Sequence, residues 1–561
     1  MSIETWMERW RCKGAGIEKL DKLLKYSKTN LLPLAVMAGT WLAANLLVNP
    51  VGDFPLNDDF SYGRTVLNLH TLGKLQYDQW LSMTLLTQVL WGAGFCKLFS
   101  FSFTVLRIST LVLALGGLAA IYQLCRDLGQ SPKIALLATL AVTFNPIFFS
   151  LSFTFMTDVP FFAFGAMSTL YYARALRSGK MKWVLWGSFF ALAATFVRQQ
   201  GLMFPLSFGV AWLFLGGLRP KSLAIAAWPL ALHLLLFFAF SKWLETSQGL
   251  PDGYGDFGKL LRRLDWGIFQ QMPLRVGAIL AYTGGFLLPL VALLQPSVRF
   301  KFPTTFSEIA KLLFPVLAII ACAAVAWHKL PWGNMAYNFG IGPPLLKDGQ
   351  YFLNTAPTLS DAAILLLKIL AFTGAIGLFF VLKKYLPGKL HKADSQRSVM
   401  VFALTNMTIY LGFLMLDLHC FDRYFFQLLP FLLICLLPSQ PVEPKKFATA
   451  ACVAGLVVMA ALSVCTTHDY LAWNRARWQA LDHLAQEKNI TPDRIDGGFE
   501  FNGWHRPGPR YPGGGKSWWW VLDDEYVVAF GDLGGYRKQQ GFPFQRWLPP
   551  GVDSVYVLKR E

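Results

Sequence analysis

Apolar stretches of membrane-spanning length recur along most of this chain. Stretches of roughly 17 to 25 residues with few charges can cross the hydrocarbon core of a bilayer as helices. About thirteen occur, at 31–48, 105–125, 132–150, 159–175, 183–198, 202–218, 222–243, 275–294, 312–327, 361–382, 399–416, 424–438 and 447–465. Of the 561 residues only 15% are charged, which excludes a soluble globular enzyme. The sequence therefore predicts an all-α polytopic membrane protein with about thirteen transmembrane helices.

The distribution of charge predicts how these helices are oriented. Lys and Arg exceed Asp and Glu by 51 to 33, a net charge of +18 that in a soluble protein would suggest nucleic-acid binding. Here the basic residues concentrate in residues 1–30 and in alternate loops, such as 126–133, 174–182 and 383–397. Residues 1–30 also lack the pattern of a signal peptide. The positive-inside rule then predicts a cytoplasmic N-terminus. Because topology explains the excess of positive charge, we expect no nucleic-acid partner.

The stretch 81–99 decides this topology. It is apolar enough to span the membrane, but a span there would move every later basic loop to the outer side. Gln88, Gly92, Gly94 and Lys97 also interrupt it. We therefore predict an amphipathic helix lying along the outer surface.

The odd number of crossings leaves residues 466–561 outside the cytoplasm as a soluble α/β domain. A helical pattern begins at His468, with Leu471, Trp478, Leu481 and Leu484 at helical spacing. Strand-like pieces follow as RIDGGFEFNGW, SWWWVLDDEYVVAF and SVYVLKRE, separated by Pro/Gly turns. The predicted organisation is a basic N-terminus (1–30), a transmembrane domain (31–465) with a first outer loop at 49–104, and this domain (466–561).

Acidic residues gather in the first outer loop. Asp58 and Asp59 directly follow the first span, Tyr62 lies one helical turn later, and Asp78 precedes the surface helix. Carboxylates beside a bilayer can act as general bases. An alternative is that Asp58 or Asp59 merely caps a helix running from about Phe60 to Leu72.

Three more charges fall near the outer ends of spans. Asp158 is the only charge of the second outer loop, and an acid so close to hydrocarbon is usually paired, metal-bound or functional. Arg198 and Arg423 lie where topology does not favour cations, and a lipid phosphate would be a suitable anion for them. Helix capping by Asp158 and snorkelling of the two arginines are the alternatives.

These residues, in this order, resemble the GT-C glycosyltransferases. The similarity rests on Asp58, Asp59 and Tyr62 after the first span, Arg107 in FTVLRISTL, the motif TDVPFFAF, and Arg423-Tyr424 followed by Pro430. The branch that it resembles contains the protein O-mannosyltransferases and the lipid A aminoarabinose transferase. The resemblance covers residues 30 to about 220, with the further match near Arg423.

The resemblance implies a transferase of the cell envelope. It would move a sugar from a polyprenyl-phosphate donor to a glycan, lipid or protein acceptor on the outer face of a bacterial cytoplasmic membrane, in contact with membrane lipids. Asp58 corresponds to the catalytic acid, with Asp59 beside it and Asp158 as the second-loop acid. The positions implied for the donor and its phosphate are Arg198, Arg423, Tyr424, Tyr62 and Asp78, although the prolines that the branch often has after Asp78 are missing here.

Three alternatives stay open at this stage. Asp58 and Asp158 could hold a divalent cation such as Mg²⁺ or Mn²⁺ through their oxygens. A secondary transporter of a polar or lipid-linked substrate would also have many spans, but it normally has ionisable groups at the membrane midplane and internal repeats. A non-catalytic scaffold would leave the outer acids and arginines unexplained.

Overall fold

The structure is a computed structural model. It describes residues 30–251, 254, 266–295, 305–338, 359–390, 394–417, 420–438, 440, 443–506, 520–521 and 523–561. The basic N-terminal segment, apart from residue 30, lies outside the described residues. In the described part the chain forms α1 (Asn30–Val48), α2 (Asp59–Leu72), α3 (Leu86–Phe99), α4 (Phe103–Asp127), α5 (Pro132–Thr143), α6 (Pro146–Leu151), α7 (Asp158–Ser178), α8 (Met181–Thr195), α9 (Met203–Gly216), α10 (Pro220–Gln248), α11 (Trp266–Leu294), α12 (Phe306–Ala326), α13 (Asp361–Leu390), α14 (Asp394–Leu416), α15 (Leu429–Leu436), α16 (Lys446–Asp482) and α17 (Phe499–His505).

All thirteen apolar stretches contain helix, which confirms the predicted helical membrane fold. Among the described residues, eight helices are long and apolar enough to cross a membrane, namely α1, α4, α10, α11, α12, α13, α14 and α16. The stretch 132–150 is divided into α5 and α6, because Pro146 cannot continue the first helix and Asn145 caps the second. The stretch 424–438 begins as a 3-10 helix (Asp422–Leu428) before α15.

Several of these helices leave their apolar side chains uncovered by protein. In α1 and α12, Leu32, Phe306 and Phe314 are 71%, 87% and 76% exposed. A soluble protein does not leave contiguous apolar surfaces of this kind in water. The chain is therefore an integral membrane protein whose outer helices face lipid.

The apolar stretch 81–99 is not helical throughout. Its helix, α3, begins at Leu86 and has 14 residues, which at 1.5 Å per residue is about 21 Å, too short for a hydrocarbon core roughly 30 Å thick. The backbone N–H groups of Leu85 and Thr87 donate to the carbonyls of Val197 and Phe196 at the end of α8. This geometry agrees with a surface helix.

Small residues allow the central helices to pack closely. A Cβ added at Gly117 of α4 would lie 2.8 Å from the Cα of Ala163 in α7. A Cβ added at Gly374 of α13 would lie 2.2 Å from the carbonyl oxygen of Gly284 in α11. Close backbone approach at small residues is a usual basis of helix association in membranes.

The C-terminal domain is built on a membrane helix. α16 continues without a break from Lys446 to Asp482, so the span predicted at 447–465 and the helix predicted from His468 are one element. Leu471, Leu481 and Leu484 are buried, as their spacing predicted. One continuous helix therefore joins the C-terminal domain to the membrane-spanning helices.

A four-stranded sheet completes this domain. Its strands are β1 (Ile495–Asp496), β2 (Tyr526–Ala529), β3 (Tyr536–Trp547) and β4 (Pro550–Arg560), in the order β1-β2-β4-β3. β1 and β2 are parallel, and the other pairs are antiparallel. Two predictions were wrong in detail: RIDGGFEFNGW forms β1 and then helix α17, and the long β3 was not predicted. The sequence of β3 lacks a clear strand pattern because it contains Gly541, Pro543 and several charged residues. β3 lies at the edge of the sheet, where proline is tolerated.

Candidate active site

Arg107 of α4 shapes the first loop. Its buried guanidinium donates to the carbonyls of Pro50 at 2.6 Å, Gly52 at 3.1 Å and Phe54 at 3.1 Å, and to Phe153 at 2.7 Å. One side chain therefore fixes the first loop against the segment that precedes α7. In the sequence, Arg107 was only one of the positions on which the resemblance rests. The structure shows its role, which is to hold the first loop in place.

Asp59 makes a second connection between the same two segments. Its Oδ2 accepts the backbone N–H of Phe155 at 2.9 Å and that of Leu56 at 3.4 Å. Burial, the largest cause, raises the pKa of Asp59 to about 8, against the lowering effect of the Phe155 N–H and of Arg107. With its carboxylate committed to the backbone, Asp59 positions the loop, and this differs from the catalytic role predicted for it.

Asp58 lies at the N-cap position of α2, but its side chain makes no capping hydrogen bond. The Trp80 indole N–H donates to its Oδ1 at 3.0 Å, and its Oδ2 lies 3.7 Å from Nη2 of Arg423. Burial is the largest cause acting on its pKa, which is raised despite Arg423 and Trp80. The side chain is still 17% exposed, so a substrate can reach it. Asp58 therefore occupies the capping position of the helix, as the alternative predicted, but its side chain does not cap the helix.

Asp158 is the first residue of α7 and is fully buried. Its Oδ1 lies 2.8 Å from Nη2 of Arg198, and its Oδ2 lies 3.9 Å from Nε of Arg423. Thr157 accepts from Nε of Arg198 at 2.7 Å. Asp158 is therefore paired with both arginines, and the two predicted phosphate-binding residues share one carboxylate.

The ring of Tyr424 lies close to both guanidiniums. The centre of its ring lies 5.3 Å from the guanidinium carbon of Arg198 and 5.6 Å from that of Arg423. Both arginines and Tyr424 are buried, which does not fit snorkelling to the membrane interface.

Asp422 and Asn334 belong to this site but were not predicted as site residues. The buried carboxylate of Asp422 accepts the backbone N–H groups of Met335 at 3.1 Å and Ala336 at 2.7 Å. This fixes the turn that carries Asn334, whose Oδ1 accepts from Nη1 of Arg423 at 3.1 Å. No sequence pattern connects residues so far apart in the chain, although an Asp directly before a site arginine was a visible signal.

Tyr62 interacts electrostatically with the charged residues of the site, Asp58, Arg423, Arg198 and Asp158, whereas Asp78 has other contacts than those predicted. The buried Tyr62 hydroxyl lies 3.7 Å from Sδ of Met83, and burial, the largest cause, raises its pKa well above the usual value. Asp78 accepts from Ser61 at 2.9 Å and from Arg506 of the C-terminal domain at 2.5 Å. Asp78 thus connects the first loop to that domain, so the donor contact predicted for it has no support in this geometry.

The arrangement does not fit the cation that the sequence left open. Asp58 and Asp158 both face the guanidinium of Arg423, at 3.7 Å and 3.9 Å. In the described part of the chain, no group of three or more His, Cys, Asp or Glu side chains could hold a metal ion. Mg²⁺ can be held by one or two carboxylates with water completing its coordination, but both carboxylates here already face Arg423, so a cation would have to displace that arginine.

The opposite ends of the same helices carry the basic residues. Arg174 near the end of α7 pairs with Asp127 at the end of α4 at 2.5 Å. Arg126 and Arg177 lie on the same two helix ends. The site and the basic loops are therefore separated by the length of the helices.

The cluster has the properties of an acid–base and anion site. One partly exposed carboxylate with a raised pKa can accept a proton, and two buried guanidiniums beside it can bind a phosphate by charge-assisted hydrogen bonds. Asp58, Asp158, Arg198 and Arg423 come from four separate segments and meet at one place, as their prediction on one membrane face required.

Part of the site lies in a recognised family segment. Residues 89–244 match the dolichyl-phosphate-mannose-protein mannosyltransferase family. This segment includes Asp158 and Arg198 but neither Asp58 nor Arg423. No curated protein matches the sequence.

Solved structures with some similarity include those of two transferases. ArnT from Cupriavidus metallidurans bound to undecaprenyl phosphate has a TM-score of 0.44 and 12% identity, with 95% of this chain and 98% of that chain covered. The archaeal oligosaccharyltransferase AglB from Archaeoglobus fulgidus, in complex with an inhibitory peptide and a dolichol-phosphate, has a TM-score of 0.41 and 13% identity, with 84% and 59% covered. The family match shows that residues 89–244 of this membrane protein are similar to that mannosyltransferase family, in a segment that overlaps the one in which the sequence alone resembles the GT-C glycosyltransferases.

Proposed function

We propose that this protein transfers a sugar from a polyprenyl-phosphate donor to a hydroxyl acceptor, with Asp58 as general base. The observation that carries the proposal is the position of Asp58, which is partly exposed and 3.7 Å from Arg423. A base and a phosphate-binding cation at this separation suit a reaction in which a hydroxyl attacks a sugar carbon bonded to phosphate. The name of the matched family, which includes a lipid-phosphate-linked mannose, supports this class of donor.

In the proposed reaction Arg198 and Arg423 bind the donor phosphate. The buried Asp158 pairs with both guanidiniums and holds them in place, and the ring of Tyr424 lies close to both. The phosphate would replace part of the pairing with Asp158. Guanidinium binds phosphate in a two-pronged geometry that ammonium lacks.

Asp58 then accepts the proton of the acceptor hydroxyl. The hydroxyl oxygen forms a bond to the anomeric carbon, and the bond from that carbon to the phosphate oxygen breaks. The two arginines stabilise the negative charge that develops on the departing polyprenyl phosphate. Because one displacement occurs at the anomeric carbon, its configuration is inverted.

We also propose that the site faces outward from a bacterial cytoplasmic membrane, with the N-terminus inside. The basic ends of α4 and α7 lie at the opposite end of these helices from Asp158. The positive-inside rule then assigns the site and the C-terminal domain to the outer side. A long isoprenoid chain could remain in lipid while its sugar phosphate is presented at this surface.

Purified full-length protein in lipid nanodiscs tests the proposal. It is incubated with labelled undecaprenyl-phosphate-linked mannose, glucose and aminoarabinose, and the release of undecaprenyl phosphate is measured with cell-envelope extract as acceptor. Wild type should release carrier from one donor, and Asp58→Asn should not. Asp553→Asn, which removes a carboxylate paired with Arg546 in the C-terminal domain, is the matched control and should retain turnover. Equal turnover by Asp58→Asn and wild type would refute the role of Asp58.

A further inference from the structure

Asn57, the residue directly before Asp58, is held by the C-terminal part of the chain. Its backbone N–H donates to Oε1 of Glu500 at 2.9 Å, and its side-chain amide donates to the Tyr470 hydroxyl at 3.3 Å. Its φ of 54° is in the left-handed region, where a residue other than glycine needs such contacts to stay. The peptide that carries Asp58 is therefore fixed from outside the first loop.

Glu500 is itself rigidly held. Its Oε2 lies 2.8 Å from Nη1 of Arg477, and Nε of the same arginine donates to the carbonyl of Gly497 at 2.8 Å. Arg477 is buried in α16, the helix that continues from the membrane. A connected set of contacts thus extends from α16 through Glu500 to the backbone beside Asp58.

We propose that Glu500 is a positioning residue for sugar transfer, and that the C-terminal domain is through it an obligate part of the active site. The carboxylate would hold the Asn57–Asp58 peptide so that the Asp58 carboxylate faces the acceptor. This inference rests on the proposed function, in which Asp58 is the base. It assigns Glu500 an effect on that base and none on binding of the donor phosphate. Asp58 contacts Trp80 and faces Arg423, whereas Glu500 pairs with Arg477 of α16.

The charge of Glu500 should act on Asp58 as well. The groups that face Asp58 are Asp59 and Tyr62 from α2, Trp80 from the loop after α2, Arg423 from the 3-10 helix, Asp158 from α7, and Glu500 from α17. Burial is the largest cause raising the pKa of Asp58, Arg423 and Trp80 lower it, and Asp158 and Glu500 raise it. Glu500 thus combines a hydrogen bond with a charge, and two substitutions can separate them.

The experiment compares Glu500→Ala and Glu500→Gln with wild-type full-length protein in nanodiscs. Glu525→Gln is the matched control, since Glu525 pairs with Arg494 and Lys559 in the same domain. Four quantities are measured: kcat, the KM for the donor, the Kd for undecaprenyl phosphate, and the pH dependence of kcat/KM. Thermal unfolding shows whether each variant is folded.

Glu500→Ala should lower kcat by about 10- to 100-fold, the size expected when a reacting group is misplaced. The Kd for undecaprenyl phosphate should stay at the wild-type value. Glu500→Gln retains an oxygen that can accept from Asn57, so it should recover most of kcat. Because it removes a negative charge that raises the pKa of Asp58, the acid limb of its pH profile should move to lower pH.

Two results would overturn the inference. One is a kcat for Glu500→Ala equal to that of the Glu525→Gln control. The other is a Glu500→Gln variant that loses as much kcat as Glu500→Ala and keeps the wild-type acid limb, because support of Arg477 alone would then explain the loss. If Glu500→Ala does not fold, Glu500→Gln decides alone. A Glu500→Gln variant that loses kcat relative to the Glu525→Gln control and keeps the wild-type acid limb would then overturn the inference. Absence of turnover in wild type would instead refute the proposed function.

Discussion

The substitution Asp58→Asn tests the proposed chemistry most directly. It keeps the size of the side chain and an oxygen that can accept the Trp80 indole N–H. In the wild type this hydrogen bond joins Nε1 of Trp80 to Oδ1 of Asp58 at 3.0 Å. It removes the charge and the ability to take a proton. Loss of a general base should lower kcat by about 100- to 10,000-fold, a rise in the barrier of about 3 to 5 kcal/mol.

The same substitution should not destabilise the fold. The pKa of Asp58 is raised above its ordinary value, with burial as the main cause and the attraction of Arg423 already included. A group whose folded pKa exceeds its unfolded pKa favours folding in its protonated form, and this contribution is lost as pH rises through the folded pKa. Above its folded pKa the ionised carboxylate therefore costs stability, and Asn removes that cost. The Tm of Asp58→Asn should equal or exceed that of wild type.

Asp158→Asn provides the contrast. Asp158 is fully buried and lies 2.8 Å from Arg198, whose side chain is almost completely covered. Removing one partner of a buried pair costs about 3 to 5 kcal/mol, since the other charge stays buried without its counterion. This variant should lose both activity and stability, whereas Asp58→Asn should lose activity alone.

The assay combines turnover of labelled donor with thermal unfolding of the same purified samples. Asp127→Asn is a matched control at the opposite end of the helices, where Asp127 pairs with a partly exposed Arg174. An Asp58→Asn variant that turns over normally would refute its role as base. A clear fall in its Tm, as large as that of Asp158→Asn, would refute the argument that ionised Asp58 costs stability.

Further predictions concern the phosphate, a metal ion and the topology. Arg423→Ala should weaken binding of undecaprenyl phosphate by about 10- to 150-fold, the loss of one charge-assisted contact, and Arg423→Lys should recover only part of it; an unchanged Kd in calorimetry would contradict the phosphate site. EDTA should leave turnover intact, because Arg423 already faces both carboxylates; loss of activity that Mg²⁺ or Mn²⁺ restores would establish the metal alternative. On a background without reactive native thiols, a membrane-impermeant thiol reagent should label Val552→Cys in intact cells but not Lys180→Cys, and the reverse result would overturn the proposed orientation.

Local patterns were sufficient for most of the fold. Each apolar stretch contains helix because a backbone in hydrocarbon must satisfy its own hydrogen bonds. The failures occurred where local patterns compete. β3 was missed because Pro543 and Gly541 weaken a strand pattern, and pairing with β4 overrides that weakness. The segment after Asp496 was predicted as strand because its aromatic residues have high β-propensity, yet it forms α17.

The candidate site was predictable only in part. An acid such as Asp158 next to an apolar stretch is conspicuous because burial of an unpaired charge is costly. Its partners could not be identified in the same way, since Arg198 and Arg423 are 40 or more residues away and no periodicity connects them. Asp59 and Asp78 are as acidic as Asp58, and only their contacts with backbone N–H groups, Ser61 and Arg506 distinguish them.

The sequence by itself determined the membrane class, the helical spans and the group of charges that share one face, because hydrophobicity and the energetic cost of charge in lipid act locally along the chain. The tertiary structure decided which of those charges form pairs. Arg423 lies between Asp58 and Asp158, while Asp59 is fixed to Phe155 and Asp78 to Arg506. It also brought Glu500 of the C-terminal domain to the backbone beside Asp58. Such pairings depend on distances between segments hundreds of residues apart, and only the packing of the helices sets those distances.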